Sequence, residues 1–257
     1  MLNVHPVHAF RDNYIWVIHT ASYAAVIDPG IADPVFEYLR SEKLQLIAIL
    51  NTHHHNDHTG GNIELHNQSD VPVYGPSTER IPALTHPVKE GDTIHLKELS
   101  LHLTVLDTPG HTIGHISYFS SGVTKMLFCG DTLFACGCGR VFEGTAEQMY
   151  HSLLKLTNLP DETLMYCAHE YTLGNMQFAK HVEPGNALLL EIENIAKEQQ
   201  SQNRPTLPTT IAREKAINPF LRCQQPEIIY NACLYAKKTL SDPISIFATL
   251  REWKNNF

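Results

Sequence analysis

The chain has 257 residues, enough for one large domain or a domain with a smaller companion, and its 43% hydrophobic content supports a substantial core rather than disorder. Its 19 Lys/Arg against 27 Asp/Glu leave a formal charge of −8, which argues against nucleic acid as the main ligand because phosphates need a basic face. From residue 175 onward ten Lys/Arg outnumber eight Asp/Glu, so the first 174 residues carry −10; a metal site suits that acid, and the more basic end suits an anionic substrate.

The opening "MLNVHPVHAFRDNYIWVI" lacks the basic start and continuous apolar run of a signal peptide, and no stretch reaches the roughly 18 apolar residues of a membrane span. "YIWVI" (14–18) and "AAVID" (24–28) predict a strand pair closing at Pro29-Gly30. Residues 34–43 predict a helix with Asp33 as N-cap and Pro34 at its first position. "LIAIL" (46–50) predicts a buried strand running into "NTHHHNDHTGGN" (51–62). "VPVYG" (71–75), "LSLHLTVLDTPG" (99–110), "HISYFSS" (115–121), "KMLFCGD" (125–131) and "TLMYCAHE" (163–170) predict further strands. Three of these runs end at His111, Asp131 and His169, and strand ends are where sites collect in α/β folds. Beyond residue 175, "QFAKHVEPGNALLLEIENIAKEQQSQ" has helical spacing broken at Pro184-Gly185, "RPTLPTT" (204–210) connects, and "SIFATLREWKNNF" closes as a helix. The domains expected are a β-rich metal-binding domain, 1–174, and a helical subdomain, 175–257.

Six cysteines without a CxxC pair fit reduced thiols in a cytosolic protein, and "CGCG" (136–139) is a weak metal pattern.

The histidine cluster carries the chemistry. Packing has no use for four imidazoles within positions 53–58, and Gly60-Gly61 directly after them predict a tight turn. At a strand end, positions two apart share a side, so His53 and His55 reach one cation while Asp57 and His58, past the turn, reach another. A zinc-like ion needs at least three protein ligands and an open position. The distant candidates are His111, Asp131 and His169, with Asp131 the natural bridge because a carboxylate has two oxygens. One metal then has His53, His55, His111 and Asp131; the other has Asp57, His58, His169 and Asp131. The alternation turns His54 away. His115 reads as packed, and Asp28 in "VIDPG" is either a turn carboxylate or a support to the ligands.

HxHxDH with Gly-Gly, "TPGHTIGH", "GDTLF" and "AHEYT" resemble the metallo-β-lactamase superfamily. "DNYIWVI", "VIDPG", "GCGRVFEGTAEQMY", "HEYTLGNMQFA", "VEPGN", "NPFLR" and a basic C-terminal helix resemble, in order, the glyoxalase II (hydroxyacylglutathione hydrolase) family, from near residue 10 to residue 257. The resemblance implies an α/β fold, an αββα sandwich with a C-terminal helical subdomain. It implies the same seven-ligand set for two divalent ions, zinc first, with iron or manganese also suited to His/Asp donors. It implies a glutathione site: Arg140 and Tyr171 contact the peptide, and Arg251 and Lys254 hold the glycine carboxylate. The i, i+3 spacing of that last pair independently places both on one helix face. Phe142 stands where members of the family carry tyrosine.

The activity expected is hydrolysis of S-(2-hydroxyacyl)glutathione, typically S-D-lactoylglutathione, to glutathione and D-lactate, the second step of methylglyoxal detoxification. Metal binding can lower water's pKa from 15.7 to roughly 7, and Asp57 is expected to orient that nucleophile. No GxSxG serine motif competes. The chain is expected to be a cytoplasmic monomer that binds a small thioester and neither nucleic acid nor membrane.

Overall fold

The fold is described from a computed structural model covering residues 2–257. The first half contains strands β1 (Asn3–Ala9), β2 (Asn13–His19) and β3 (Tyr23–Ile27), helix α1 (Asp33–Glu42), β4 (Gln45–Leu50), α2 (Asn56–Thr59), α3 (Asn62–Ser69), β5 (Val73–Pro76), β6 (His86–Val88), β7 (Thr93–Leu96), β8 (Leu101–Asp107), β9 (Ile116–Ser120) and β10 (Met126–Gly130). The second half contains β11 (Leu133–Phe134), β12 (Gly137–Cys138), α4 (Ala146–Thr157), β13 (Leu164–Cys167), α5 (Thr172–Val182), α6 (Ala187–Ser201), β14 (Thr209–Thr210), α7 (Ile211–Ile217), α8 (Pro226–Ala236) and α9 (Pro243–Asn255). Contacts divide the chain into two interleaved units. The first runs to Asp107 and takes in Gly114–Gly130 and Tyr166–His169; the second holds Thr108–Ile113, Asp131–Met165 and Glu170–Phe257.

The first unit is built on a sheet ordered β1-β2-β3-β4-β5-β6. Its β1–β3 pairings are antiparallel and β3 to β6 run parallel. The continuous apolar run of β4 suits a parallel strand covered on both faces. One face packs Ile15, Val17, Val26 and Ile49 against Val35 and Leu39 of α1 and Leu65 of α3. Each such buried side chain contributes about 1.5–3 kcal/mol relative to exposure. The other face meets a second sheet, in which β13-β10-β9-β8-β7 are neighbours. An aromatic ladder joins the two: Trp16 lies 4.9 Å from Tyr166, edge to face, and Tyr166 stacks on Phe128 at 4.9 Å. The Trp16 indole N–H donates to the Cys167 carbonyl at 2.9 Å, and the Tyr118 hydroxyl donates to the Asn51 carbonyl at 2.6 Å. These bonds fix where β4 and β13 end.

Two local expectations change. The N-cap of α1 is Ala32, without a side-chain cap, and Asp33 is the first helical residue, where its charge still suits the helix N-terminus. Gly60 and Gly61 have ordinary negative φ, −62° and −85°. Space rather than turning demands glycine: a Cβ on Gly60 would stand 2.5 Å from the Gly30 carbonyl oxygen, and one on Gly61 2.7 Å from the Ile31 backbone. Strands β1, β6 and β7 were not anticipated, because β1 is a half-exposed edge and the other two have three and four residues.

In the second unit, β14 pairs antiparallel with Leu164 and Met165. Helix α4 is closed by a capping box between Thr145 and Gln148, and α9 by Asp242, whose carboxylate accepts from the Ser245 N–H. Two motifs meet here as structure: Glu183 of "VEPGN" accepts from Arg222 of "NPFLR" at 2.9 and 2.6 Å. Met176, Ala179, Leu189, Ile192 and Ile217 form a core beside Cys136.

Candidate active site

In the first unit the cluster does not sit on a strand. Strand β4 stops at Leu50; residues 51–55 are irregular, and Asp57 and His58 lie in the single turn of α2. Asn51 holds that turn by donating from Nδ2 to the His58 carbonyl at 2.9 Å. His53 and His55 nevertheless converge, with His53 Nε2 3.1 Å from His55 Nδ1. His54 points to Glu79, its Nδ1 2.9 Å from Oε2. The expected divergence is therefore present, but loop geometry produces it rather than strand alternation. His115 is buried and stacks on the His53 ring at 4.9 Å.

Asp57, His58 and His169 each offer a ligand atom within 4.8 Å of the others. Asp57 Oδ2 lies 3.4 Å from His58 Nε2 and 3.6 Å from His169 Nε2. The opposite nitrogen of each imidazole faces a carboxylate: His58 Nδ1 is 3.1 Å from Asp28 Oδ2, and His169 Nδ1 is 2.8 Å from Asp12 Oδ1. A carboxylate behind a histidine fixes its tautomer and strengthens the other nitrogen as a donor to metal. Asn13 Nδ2 donates to Asp57 Oδ2 at 3.0 Å. Asp28, at a left-handed φ of 53°, also accepts from the Thr52 N–H and hydroxyl, both at 2.7 Å. The Thr52 oxygen in turn lies 3.0 Å from His53 Nδ1. This donor set, three groups converging with their rear atoms held by anions or an amide, fits a divalent cation.

In the second unit His111 and Asp131 are together: Nε2 lies 3.4 Å from Oδ2, and His111 Nδ1 donates to the Arg140 carbonyl at 2.8 Å. Arg140 and His111 thus share one loop contact. Phe142 is 62% exposed, its ring 5.3 Å from that of His111. Tyr171 is 38% exposed and lies edge-on to Phe134 at 5.2 Å. Arg251 is buried; Nη1 donates to the Cys138 carbonyl at 2.8 Å, Nε to Asn255 at 3.2 Å, and the guanidinium lies 5.0 Å over the Phe220 ring. Lys254 donates to the Gly174 carbonyl at 3.1 Å and sits beside the Phe178 and Phe257 rings. Burial holds the Lys254 ammonium below the ordinary lysine pKa, helped by the positive charges of Arg251 and Arg140. Burial pushes the Cys136 and Cys138 thiols up, Arg251 opposing the rise at Cys138.

Residues 9–169 match the metallo-beta-lactamase superfamily, and residues 170–257 match the hydroxyacylglutathione hydrolase C-terminus. A hydroxyacylglutathione hydrolase from Nitrosomonas europaea is 59% identical over 257 residues, covering 100% of this chain and 97% of the relative. The chain belongs to the hydroxyacylglutathione hydrolase family. The relative of the same name from Vibrio cholerae is 51% identical over 259 residues, all of both chains. Among solved structures, ETHE1 from Myxococcus xanthus superposes with a TM-score of 0.65 at 27% identity, over 99% of this chain and 98% of that one. The BLEG-1 B3 metallo-beta-lactamase superposes at 0.64 with 24% identity, over 86% and 100%, and so shares the fold. The chain therefore has the metallo-β-lactamase fold followed by the helical C-terminal region of hydroxyacylglutathione hydrolases.

Three residues that contact the candidate cluster escape sequence reasoning: Asp12, Asn13 and Glu79. "RDNY" carries no metal-ligand spacing, and Asp12 is 157 residues from the His169 it holds. The available signal was a polar pair at the start of an otherwise apolar buried strand, Asp12 directly before β2 and the buried Asn13 as its first residue.

Proposed function

We propose that the chain is a dinuclear metal-dependent thioesterase that cleaves S-(2-hydroxyacyl)glutathione, with S-D-lactoylglutathione as the leading substrate, to glutathione and the hydroxy acid. The hydroxyacylglutathione hydrolase name of the full-length relatives supports the reaction. The observation that carries the substrate assignment is the pair Arg251 and Lys254, one turn apart on α9 and held by the Cys138 and Gly174 carbonyls, in a chain of net charge −8; burial first, then the charges of Arg251 and Arg140, lowers the lysine's pKa. Such a pair suits a small anion bearing carboxylates.

His53, His55, His111 and Asp131 would hold one divalent ion, and Asp57, His58, His169 and Asp131 the other, zinc being our assignment with iron or manganese as alternatives. Bound there, the ions supply Lewis acidity toward a thioester carbonyl and acidify water. Asp57 has a 44% exposed side chain beside a nearly buried His58, so it is the ligand that solvent reaches. We assign it the reception of the attacking water's proton. Asn13 keeps its Oδ2 oriented, while Asp12 and Asp28 keep the two imidazoles' Nε2 atoms facing it. Arg251 and Lys254 grip the glycine carboxylate, Arg140 and Tyr171 the peptide, and this remote grip supplies binding energy away from the reacting carbonyl. Among the described residues Arg251 makes no hydrogen bond through Nη2, which suits it to a ligand oxygen.

The segment from about residue 175 is then the glutathione-binding subdomain. Among the described residues no helix is long and apolar enough to cross a membrane, and no disulfide joins the six cysteines. Cysteines without disulfides suit the reducing cytoplasm, and the acidic charge speaks against nucleic-acid partners; a monomer is our assignment. The deciding assay compares S-D-lactoylglutathione, a lactone and a cephalosporin after metal analysis. We expect thiol release from the first to dominate and to disappear on chelation; faster turnover of the lactone or the cephalosporin would overturn the assignment.

A further inference from the structure

One buried acid has no part in the chemistry above. Glu214 on α7 is fully buried. Its Oε2 accepts from the Cys136 N–H at 2.7 Å and from Asn218 Nδ2 at 3.1 Å, and its Oε1 accepts from the Thr209 hydroxyl at 2.9 Å. Asn218, also fully buried, further donates to the Phe134 carbonyl at 3.1 Å and the Gly137 carbonyl at 2.9 Å. The two side chains thus bond the Cys136 N–H and the Phe134 and Gly137 carbonyls of the β11–β12 hairpin, Asn175 Nδ2 taking the Ala135 carbonyl at 3.0 Å, and the turn residue Cys136 stands at a left-handed φ of 56°. A turn N–H buried without an acceptor is costly, so the Glu214 carboxylate beneath it supports this conformation.

The same hairpin leads to the residues assigned to the substrate. The Cys138 carbonyl fixes Arg251 Nη1 at 2.8 Å. Gly139 follows, packed so closely on the Asp131 carbonyl that no Cβ fits, and then Arg140, whose carbonyl accepts from His111. We propose that Glu214 and Asn218 are positioning residues for the substrate: from beneath the hairpin they set where Cys138 and Arg140 stand and, through the Cys138 carbonyl, where the Arg251 guanidinium points. Neither residue touches the substrate. The inference rests on the thioesterase reading, because it assumes that Arg140 and Arg251 bind glutathione.

Three variants test it: Glu214→Met, Asn218→Ser and Glu214→Gln. Gln keeps an acceptor for the Cys136 N–H, and its amide can donate to the Thr209 hydroxyl, which accepts as readily as it donates. We expect Glu214→Met and Asn218→Ser to raise KM for S-D-lactoylglutathione roughly tenfold, the loss expected when a charge-assisted bond is misplaced. Their kcat should stay within about threefold, metal content unchanged, because only binding is disturbed. A thioester lacking the glycine should be affected little, and Glu214→Gln should restore KM to near wild type. If either variant slowed both thioesters by the same factor, or lowered kcat at constant KM, the pair would be structural only. Failure of both Glu214→Met and Asn218→Ser to fold would equally overturn a positioning role. A wild-type protein inert toward S-D-lactoylglutathione would instead refute the thioesterase reading itself.

Discussion

The histidine cluster and the cationic cluster solve opposite electrostatic problems. Around Asp57, His58 and His169, lone pairs converge, and the rear nitrogens of both imidazoles are backed by the anions Asp28 and Asp12. Around Arg251 and Lys254, cations converge, backed by carbonyl oxygens of Cys138 and Gly174 and by aromatic faces. Each set is unfavourable by itself and becomes favourable with a ligand of opposite sign. The lesson is that a functional cluster is recognised as much by the groups behind it as by its members.

Removing a ligand should have the largest effect. Asp131→Ala takes away the carboxylate assigned to both ions and should lower metal content by elemental analysis and kcat/KM by at least about a thousandfold, several kcal/mol of charge stabilisation. Full metal occupancy in that variant would break the shared-ligand assignment. Asp12→Asn tests the backing alone: metal affinity in competition with a chelator should fall about ten- to a hundredfold, and an unchanged affinity would show that the 2.8 Å contact with His169 is incidental.

On the cationic side, Arg251→Ala should reduce kcat/KM for S-D-lactoylglutathione about tenfold or somewhat more, with metal content intact, since a charged hydrogen bond is worth about 1.5–3 kcal/mol. Equal slowing of a thioester without the glycine would make Arg251 a packing residue. The smallest effect is in pH. Because burial and like charges lower the Lys254 pKa, its cation is lost on alkalisation earlier than an ordinary lysine's. KM should therefore begin to rise below the usual lysine range while kcat stays flat, and Lys254→Arg should move that rise to higher pH. The same shift makes the folded state bind fewer protons than the unfolded chain between the lowered pKa and the ordinary one, so unfolding free energy gains from this group as pH rises through that window. A KM limb that did not move in Lys254→Arg would assign it to another residue.

The proposed ligands could be picked out in the sequence because chemistry and spacing coincide: His53, His55, Asp57 and His58 are nearly contiguous, and His111, Asp131 and His169 follow short apolar runs. The buried strands β2, β3 and β4 were legible for the same reason, a local pattern with one physical cause. What positions those residues was decided only by tertiary structure. The divergence of His54 comes from an irregular loop and a contact with Glu79, 25 residues away. Asp12 meets His169 because β2 begins against Ala168 and His169, with Tyr14 donating to the Ala168 carbonyl at 2.7 Å and Asn13 bridging His169. Glu214 meets Cys136 across 78 residues. A one-dimensional pattern records which groups a chain holds and which face of a local element they share. Hydrogen bonds between residues tens to hundreds of positions apart arise only when strands pair and helices pack, and those bonds turn donors into an oriented site.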